Sequence, residues 1–287
     1  MTHFANSLIL CGLLQFNGLP LFSQDCVGPG DIDGDGAVAV TDLAPLAECL
    51  AGPDVFTPPP GCDPIEFARA DLDEDGDVDL ADVAKLLPYV GQEYFAYGPH
   101  RENLEAEMLA MDVTGQLRAP DQEYERIRRD LALIRATYPQ LQQVIDDTDY
   151  VPNQLMVGLD NNLPHDGYKA LNEYYLVVSE QIYYSFRLLT FCDNLNAPVL
   201  APQYAALPEV QWAEPNGLIG IDDFITVTVW SDGTYWYDID DGFMDCFDGC
   251  DCHRVWALTV SPGGTVTLVS YYEWGMPWCD FGSGVDG

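Results

Sequence analysis

Asp31, Asp33 and Asp35 occupy alternate positions and Asp42 follows at a distance; Asp71, Asp73, Asp75 and Asp82 repeat the series. Carboxylates at this spacing suit a hard cation. A twelve-residue calcium loop supplies oxygens from positions 1, 3, 5, 7, 9 and 12, and Ca²⁺ takes roughly six to eight of them. In the first loop Ala37, at position 7, can offer only its backbone carbonyl. Ala39, at position 9, has no side-chain donor, so water must substitute. The second loop is richer, with Asp77 at position 7 and Asp79 at position 9. Gly36 and Gly76 stand at position 6, where the backbone turns sharply. The expected metal-site residues are Asp31, Asp33, Asp35, Ala37, Asp42, Asp71, Asp73, Asp75, Asp77 and Asp82, holding two Ca²⁺ ions.

Such loops need elements to hold them. Gly30–Val38 echoes Ala70–Val78, and each copy runs into an amphipathic segment. Leu43, Leu46 and Leu50 share a helical face after the first loop; Val83, Leu86, Leu87 and Val90 share one after the second. Val38 and Val78, both at position 8, are placed to pair the loops through a short β-bridge. The Pro- and Gly-rich stretch Gly52–Cys62 reads as a loop, and Cys49 and Cys62 are expected to close it as a disulfide.

The absence of an entering helix and the Asp at position 12 resemble dockerin type I modules over roughly residues 26–92. That resemblance implies Asp31, Asp33, Asp35, Asp42, Asp71, Asp73, Asp75 and Asp82 as ligands, a cohesin-like or other surface protein as partner, and a secreted or cell-surface location. The sequence departs from the pattern in two respects. The repeats are more widely separated, and Val40-Thr41 and Leu80-Ala81 do not reproduce the polar pair by which many dockerins recognise cohesin.

Residues 1–24 read as a signal peptide, with the apolar run Leu8–Leu14 but no Lys or Arg before it. Its removal leaves no expected membrane span and an even set of cysteines: Cys26, Cys49, Cys62, Cys192, Cys246, Cys250, Cys252 and Cys279. An even set in an export product favours disulfides. Beyond a module at 25–92, residues 93–150 are expected to be helical. Leu104, Met108 and Met111 precede a stop at Gly115, and Tyr124, Ile127, Leu131 and Ile134 form a second stripe. Residues 151–287 read as an α+β domain with disulfide-rich β-hairpins: strands at Gln154–Leu159 and Tyr183–Phe191, a helix at Tyr168–Tyr175, and hairpins turning at Ser231–Gly233 and Ser261–Gly264. The fold class is therefore multidomain, a small α-helical calcium module followed by an α+β domain. Pro152–Gly158 and Leu207–Asn216 are similar to segments of subtilase prodomains, which implies a ferredoxin-like arrangement and a protease inhibitor-like role.

Cys246, Cys250, Cys252 and His253 offer a zinc alternative to disulfides, crowded into one short stretch. The acids Asp238, Asp240, Asp241, Asp245, Asp248 and Asp251 offer a third cation site without a ligand register. Trp230, Tyr235, Trp236 and Tyr237 divide by strand alternation between core and surface. With 11 Lys and Arg against 47 acids, the chain cannot replace counterions on phosphate, which excludes nucleic acid and anionic membrane as partners. The sequence presents no nucleophile elbow and no metalloprotease His pair. The expected function is therefore an extracellular calcium-binding protein whose C-terminal part binds an unknown ligand rather than an enzyme. A hydrolase of polysaccharide or peptide is the alternative, since paired carboxylates suffice for glycoside cleavage.

Overall fold

The computed structural model describes residues 27–95, 101–146, 150–217, 223–244 and 250–279. The expected signal peptide, Cys26, His100, Asp245, Cys246 and Asp248 lie outside the described residues.

Three short helices build the N-terminal region: α1 (Leu43–Cys49), α2 (Pro64–Ala70) and α3 (Leu80–Leu86), the last continuing into a 3-10 turn at Leu87–Tyr89. The expected absence of an entering helix is corrected at the second loop, which α2 enters. Its signal was legible: Asp63 accepts a hydrogen bond from the Ile65 amide, and Pro64 sits at the first helical position, where no amide donor is needed. The expected apolar faces are corrected as well. Leu46 and Leu86 are buried, but Leu43, Leu50, Leu87 and Val90 are exposed. A two-turn helix can turn only one or two residues toward a core this small. Here the core is Ile32, Val38, Leu46, Phe67, Val78, Leu86 and Tyr94, with the Cys49–Cys62 disulfide on its flank.

Val38 and Val78 do not bridge each other. Val38 donates to the Gln92 carbonyl and accepts from the Gly91 amide, whereas Val78 accepts from the amides of Ala51 and Gly52. Each loop thus pairs with the chain that leaves the helix of the other loop. The amide and carbonyl of Val38 that a Val38–Val78 bridge would use are thus already taken by Gln92 and Gly91.

The other described residues surround a larger core. Helices α4 (Leu104–Thr114) and α5 (Asp121–Thr137) precede β1 (Tyr150–Leu159), α6 (Asp166–Tyr174), β2 (Val177–Ile182), β3 (Arg187–Phe191), α7 (Ala197–Ala205) and β4 (Val210–Gly217). These four strands form an antiparallel sheet in the order β2-β3-β1-β4, so the chain runs β-α-β-β-α-β. Strand β2 was not expected. Its Val-Val-Ser-Glu-Gln-Ile stretch is mostly exposed, and the strand expected at Tyr183–Phe191 begins only at Arg187 because Tyr183–Phe186 form the hairpin turn. A second sheet is a meander of β5 (Asp223–Val229), β6 (Tyr235–Phe243), β7 (Cys252–Val260) and β8 (Val266–Gly275). Met108, Met111, Ile127, Leu131 and Ile134 from the helices share a single core with Leu155, Val157 and Leu189 of the first sheet and Tyr237, Trp256 and Leu258 of the second. Gly115, at φ 61°, ends α4 in the left-handed conformation that glycine adopts without a Cβ clash.

Candidate calcium loops and the surrounding surface

The loop carboxylates bond backbone amides in a pattern that recurs 40 residues later, from Asp31 to Asp71. Oδ2 of Asp31 accepts from the Gly36 amide at 2.9 Å, and Oδ2 of Asp71 accepts from the Gly76 amide at 2.9 Å. Oδ1 of Asp42 accepts from Ile32 at 2.7 Å and Asp33 at 3.2 Å; Oδ1 of Asp82 accepts from Leu72 at 2.7 Å and Asp73 at 3.2 Å. The other oxygen of each position-12 Asp takes the amide of Ala39 (2.7 Å) or Asp79 (2.8 Å). Gly36 and Gly76 make the turn at φ 89° and 94°.

Carboxylate oxygens of Asp31, Asp33 and Asp42 lie within 4.8 Å of one another, as do those of Asp71, Asp73 and Asp82. One oxygen in each set, Oδ1 of Asp31 and Oδ1 of Asp73, is buried with no hydrogen-bond partner. Anionic oxygens turned inward without donors are costly unless a cation meets them. The donor set is wholly oxygen, as Ca²⁺ prefers, so the residues fit the ion. Burial first, then the charge of Asp42, holds the Asp31 carboxyl above its ordinary value, countered in part by the Gly36 amide. Asp35 and Asp75 stand outside the three-oxygen sets, and their Oδ1 atoms cap the amides of Ala37 (2.9 Å) and Asp77 (3.1 Å). The backbone of Ala37 bridges to Glu93. Asp77 is buried, and its Oδ2 accepts from the Asp54 amide at 2.5 Å; its oxygens also come within 4.8 Å of those of Asp79 and Asp82. The sequence reading counts Asp77 among the expected ligands of the second loop, whereas at the equivalent position Ala37 offers only its carbonyl.

Val40 and Leu80, at position 10 of each loop, are 78% and 75% exposed. Leu50, Leu87 and Val90 are exposed as well, so the module's own core leaves these apolar side chains uncovered.

The described cysteines of the cluster, Cys250 and Cys252, are in disulfides and not in a zinc site. Cys252 is bonded to Cys279, Cys250 is also disulfide-bonded, and His253 faces Asp240 through Nδ1 (2.8 Å) and the Cys250 carbonyl through Nε2 (3.0 Å). Cys192 is disulfide-bonded as well. Asp240 is thus engaged by His253 and Asp241 by Arg254, and no three carboxylates converge among the described members of the 238–251 run. Trp230 stacks on Trp236 at 5.5 Å, while Tyr235 and Tyr237 are buried on the opposite face. His165 bonds the Asp160 carbonyl through Nε2 at 3.1 Å.

A buried acid that sequence reasoning missed is Glu107 in α4. Burial first raises its pKa from 4.5 to about 7, opposed by the hydrogen bond that Asn194 Nδ2 donates to it at 2.8 Å. The native state therefore holds a proton that the unfolded chain has lost, and stability falls as pH rises between those two values. Glu107→Gln removes the penalty. It should raise stability by about 2–3 kcal/mol at pH 8 and flatten the decline between pH 5 and 7. Equal denaturation midpoints for the two proteins at pH 8 would contradict this.

Comparison with protein families assigns two stretches. A dockerin type I domain matches residues 29–91, and a fervidolysin N-terminal prodomain matches residues 136–216. Residues 29–91 thus match a dockerin-type module; domains of this type bind calcium, and the proteins that carry them are generally extracellular or at the cell surface. Neither the curated proteins nor the solved structures yield a match to the chain. Among the described residues no helix is long and apolar enough to cross a membrane.

Proposed function

We propose that the protein is a calcium-dependent docking protein acting outside the cytoplasm. Residues 25–92 bind two Ca²⁺ ions through Asp31, Asp33, Asp35, Ala37, Asp42, Asp71, Asp73, Asp75, Asp77 and Asp82, and dock a cohesin-like partner. The carrying observation is the matched pair of carboxylate nests, each with a buried oxygen lacking any donor. The exposed Val40 and Leu80 give the docking surface an apolar contact in place of a polar one. Intact protein titrated onto immobilised cohesin modules should bind in calcium and be released by chelator. Val40→Asp together with Leu80→Asp should weaken binding at least tenfold, about 1.4 kcal/mol, with calcium stoichiometry unchanged. Undiminished binding would rule out this face.

For residues 151–287 the reading is a ferredoxin-like binding domain, carried by the β-α-β-β-α-β order and the prodomain match. A protease-facing role has one specific observation in its favour. On the sheet face away from α7, the Trp212 ring lies directly over Gly158, where a Cβ would come within 2.2 Å of it, and Phe186 and Tyr183 continue the aromatic row. Saturable inhibition of a subtilisin-type protease, lost in Trp212→Ala, would support that role. Turnover of polysaccharide or peptide by the purified chain would replace the binding reading with the hydrolase one.

A further inference from the structure

The pairing of each calcium loop with the chain leaving the other helix is symmetric within the module, but its consequences are not. The partner of the second loop, Ala51-Gly52, leads into the disulfide-closed spacer. The partner of the first loop is the segment by which the chain leaves the module. Val38 bonds Gly91 and Gln92, Ala37 bridges Glu93, and the Gly36 carbonyl accepts from the Tyr94 amide at 2.7 Å. The next residue crosses to the other core. The Phe95 amide donates to the Tyr174 carbonyl at 2.8 Å, its ring packs on Tyr175 at 5.2 Å, and the Arg118 guanidinium covers it at 4.3 Å.

The contact is reciprocal. Leu176, just after α6, takes φ 50°, a conformation that bulky side chains rarely adopt, and packs against the module's core. Tyr94 fills the space over Gly28 and donates to the Pro29 carbonyl at 3.2 Å, immediately before the first loop. Beside this contact lies an open groove of about 700 Å³ between Tyr89, Gln92 and Tyr94 on one side and Lys169, Glu173 and Val178 on the other. The contact is held by Phe95 and Leu176 and by the strand zipped to the first loop, which carries Tyr94 and Phe95 to it.

We infer that calcium in the first loop, and not in the second, fixes the contact between the docking module and the α+β part at Tyr94–Phe95 and Tyr174–Leu176. The first ion sets the turn at Gly36 that presents its carbonyl to Tyr94; the second sets a turn whose strand partner ends in the spacer. This rests on the two-ion reading above.

Hydrogen–deuterium exchange on the full chain tests it, with calorimetry counting the ions bound. In the unaltered protein, protection at Phe95 should rise with calcium in step with the Asp31–Asp42 loop and not with the Asp71–Asp82 loop. Asp31→Ala with Asp33→Ala should speed exchange at Phe95 at least tenfold; Asp71→Ala with Asp73→Ala should change it less than threefold. Leu176→Ser should speed exchange at Phe95 while both ions still bind. Two ions bound with no change at Phe95, or equal effects of the two loop variants, would overturn the inference and leave the calcium reading standing. Binding of no ion would overturn both.

Discussion

Stripping calcium from the intact protein should melt the docking module while leaving the larger core folded. The two cores are distinct clusters, so loss of one need not empty the other. Without the metal, each loop confines three carboxylates within 4.8 Å and buries an oxygen that has no donor. An ion present at about 100 times its Kd stabilises the folded state by roughly 2.7 kcal/mol, so two sites together contribute about 5 kcal/mol, which is on the order of the whole stability of a small domain. Calorimetry should show two transitions, the lower moving with calcium and the upper unmoved. All six tryptophans follow Tyr150 in the sequence, so their fluorescence should report the upper transition alone. A chelator that shifts neither transition would sink this reading.

The sign of the pH dependence gives a second check on the same sites. The Asp31 carboxyl is raised above its ordinary value by burial first, and that of Asp73 by desolvation and then by Asp75 and Asp82. For a raised acid, the native state keeps a proton at pH values where the unfolded chain has released it. The metal-free module is therefore most stable below the ordinary aspartate range and loses stability as pH rises through the raised values. Calcium reverses this, because its ligands must be ionised, so the loaded module should gain stability over the same rise.

The dockerin-type module was legible because its loop pattern is written in consecutive residues: alternate aspartates, a glycine at the turn and an aspartate at the end. The Cys49–Cys62 disulfide was legible for a similar reason, since both cysteines bound one loop. What failed was non-local. Leu43, Leu87 and Val90 have the spacing of a buried stripe, but a short helix over a core of about ten side chains has no room for them. The partner of Val38 depended on where the chain returns after α3, which no residue near Val38 encodes. Strand β2 carries exposed residues along an edge and so lacks the alternation that marks a half-buried strand. Glu107 and Asp130 are single acids on otherwise ordinary helices, and only tertiary packing reveals that they are buried.

Asp130→Ala should destabilise the larger core by about 3–5 kcal/mol, the typical cost of removing one partner from a buried ion pair. Asp130 falls on the buried side of α5 among Ile127, Leu131 and Ile134 and is fully buried. Its Oδ2 accepts from Arg126 Nε at 2.6 Å and from the Tyr237 hydroxyl at 3.2 Å, and its Oδ1 accepts from Arg129 Nη2 at 3.1 Å. Arg126 reaches onward to the carbonyls of Val260 (2.9 Å) and Ser261 (3.0 Å), so this one carboxylate ties α5 to β6 and to the end of β7. Burial first, then the Asp130 charge, keeps the Tyr237 phenol protonated as a donor far above its ordinary range. Alanine at 130 would leave that hydroxyl without its acceptor and a largely buried guanidinium without its counter-charge, held only by the Val260 and Ser261 carbonyls. Tyr237→Phe removes only a donor and should cost about 1 kcal/mol, and Asp130→Asn, which keeps an acceptor without the charge, should fall between the two. The tryptophan-detected transition should follow this order while the calcium-sensitive transition stays in place. A loss under about 1 kcal/mol in Asp130→Ala would mean that α5 is held by its apolar stripe alone.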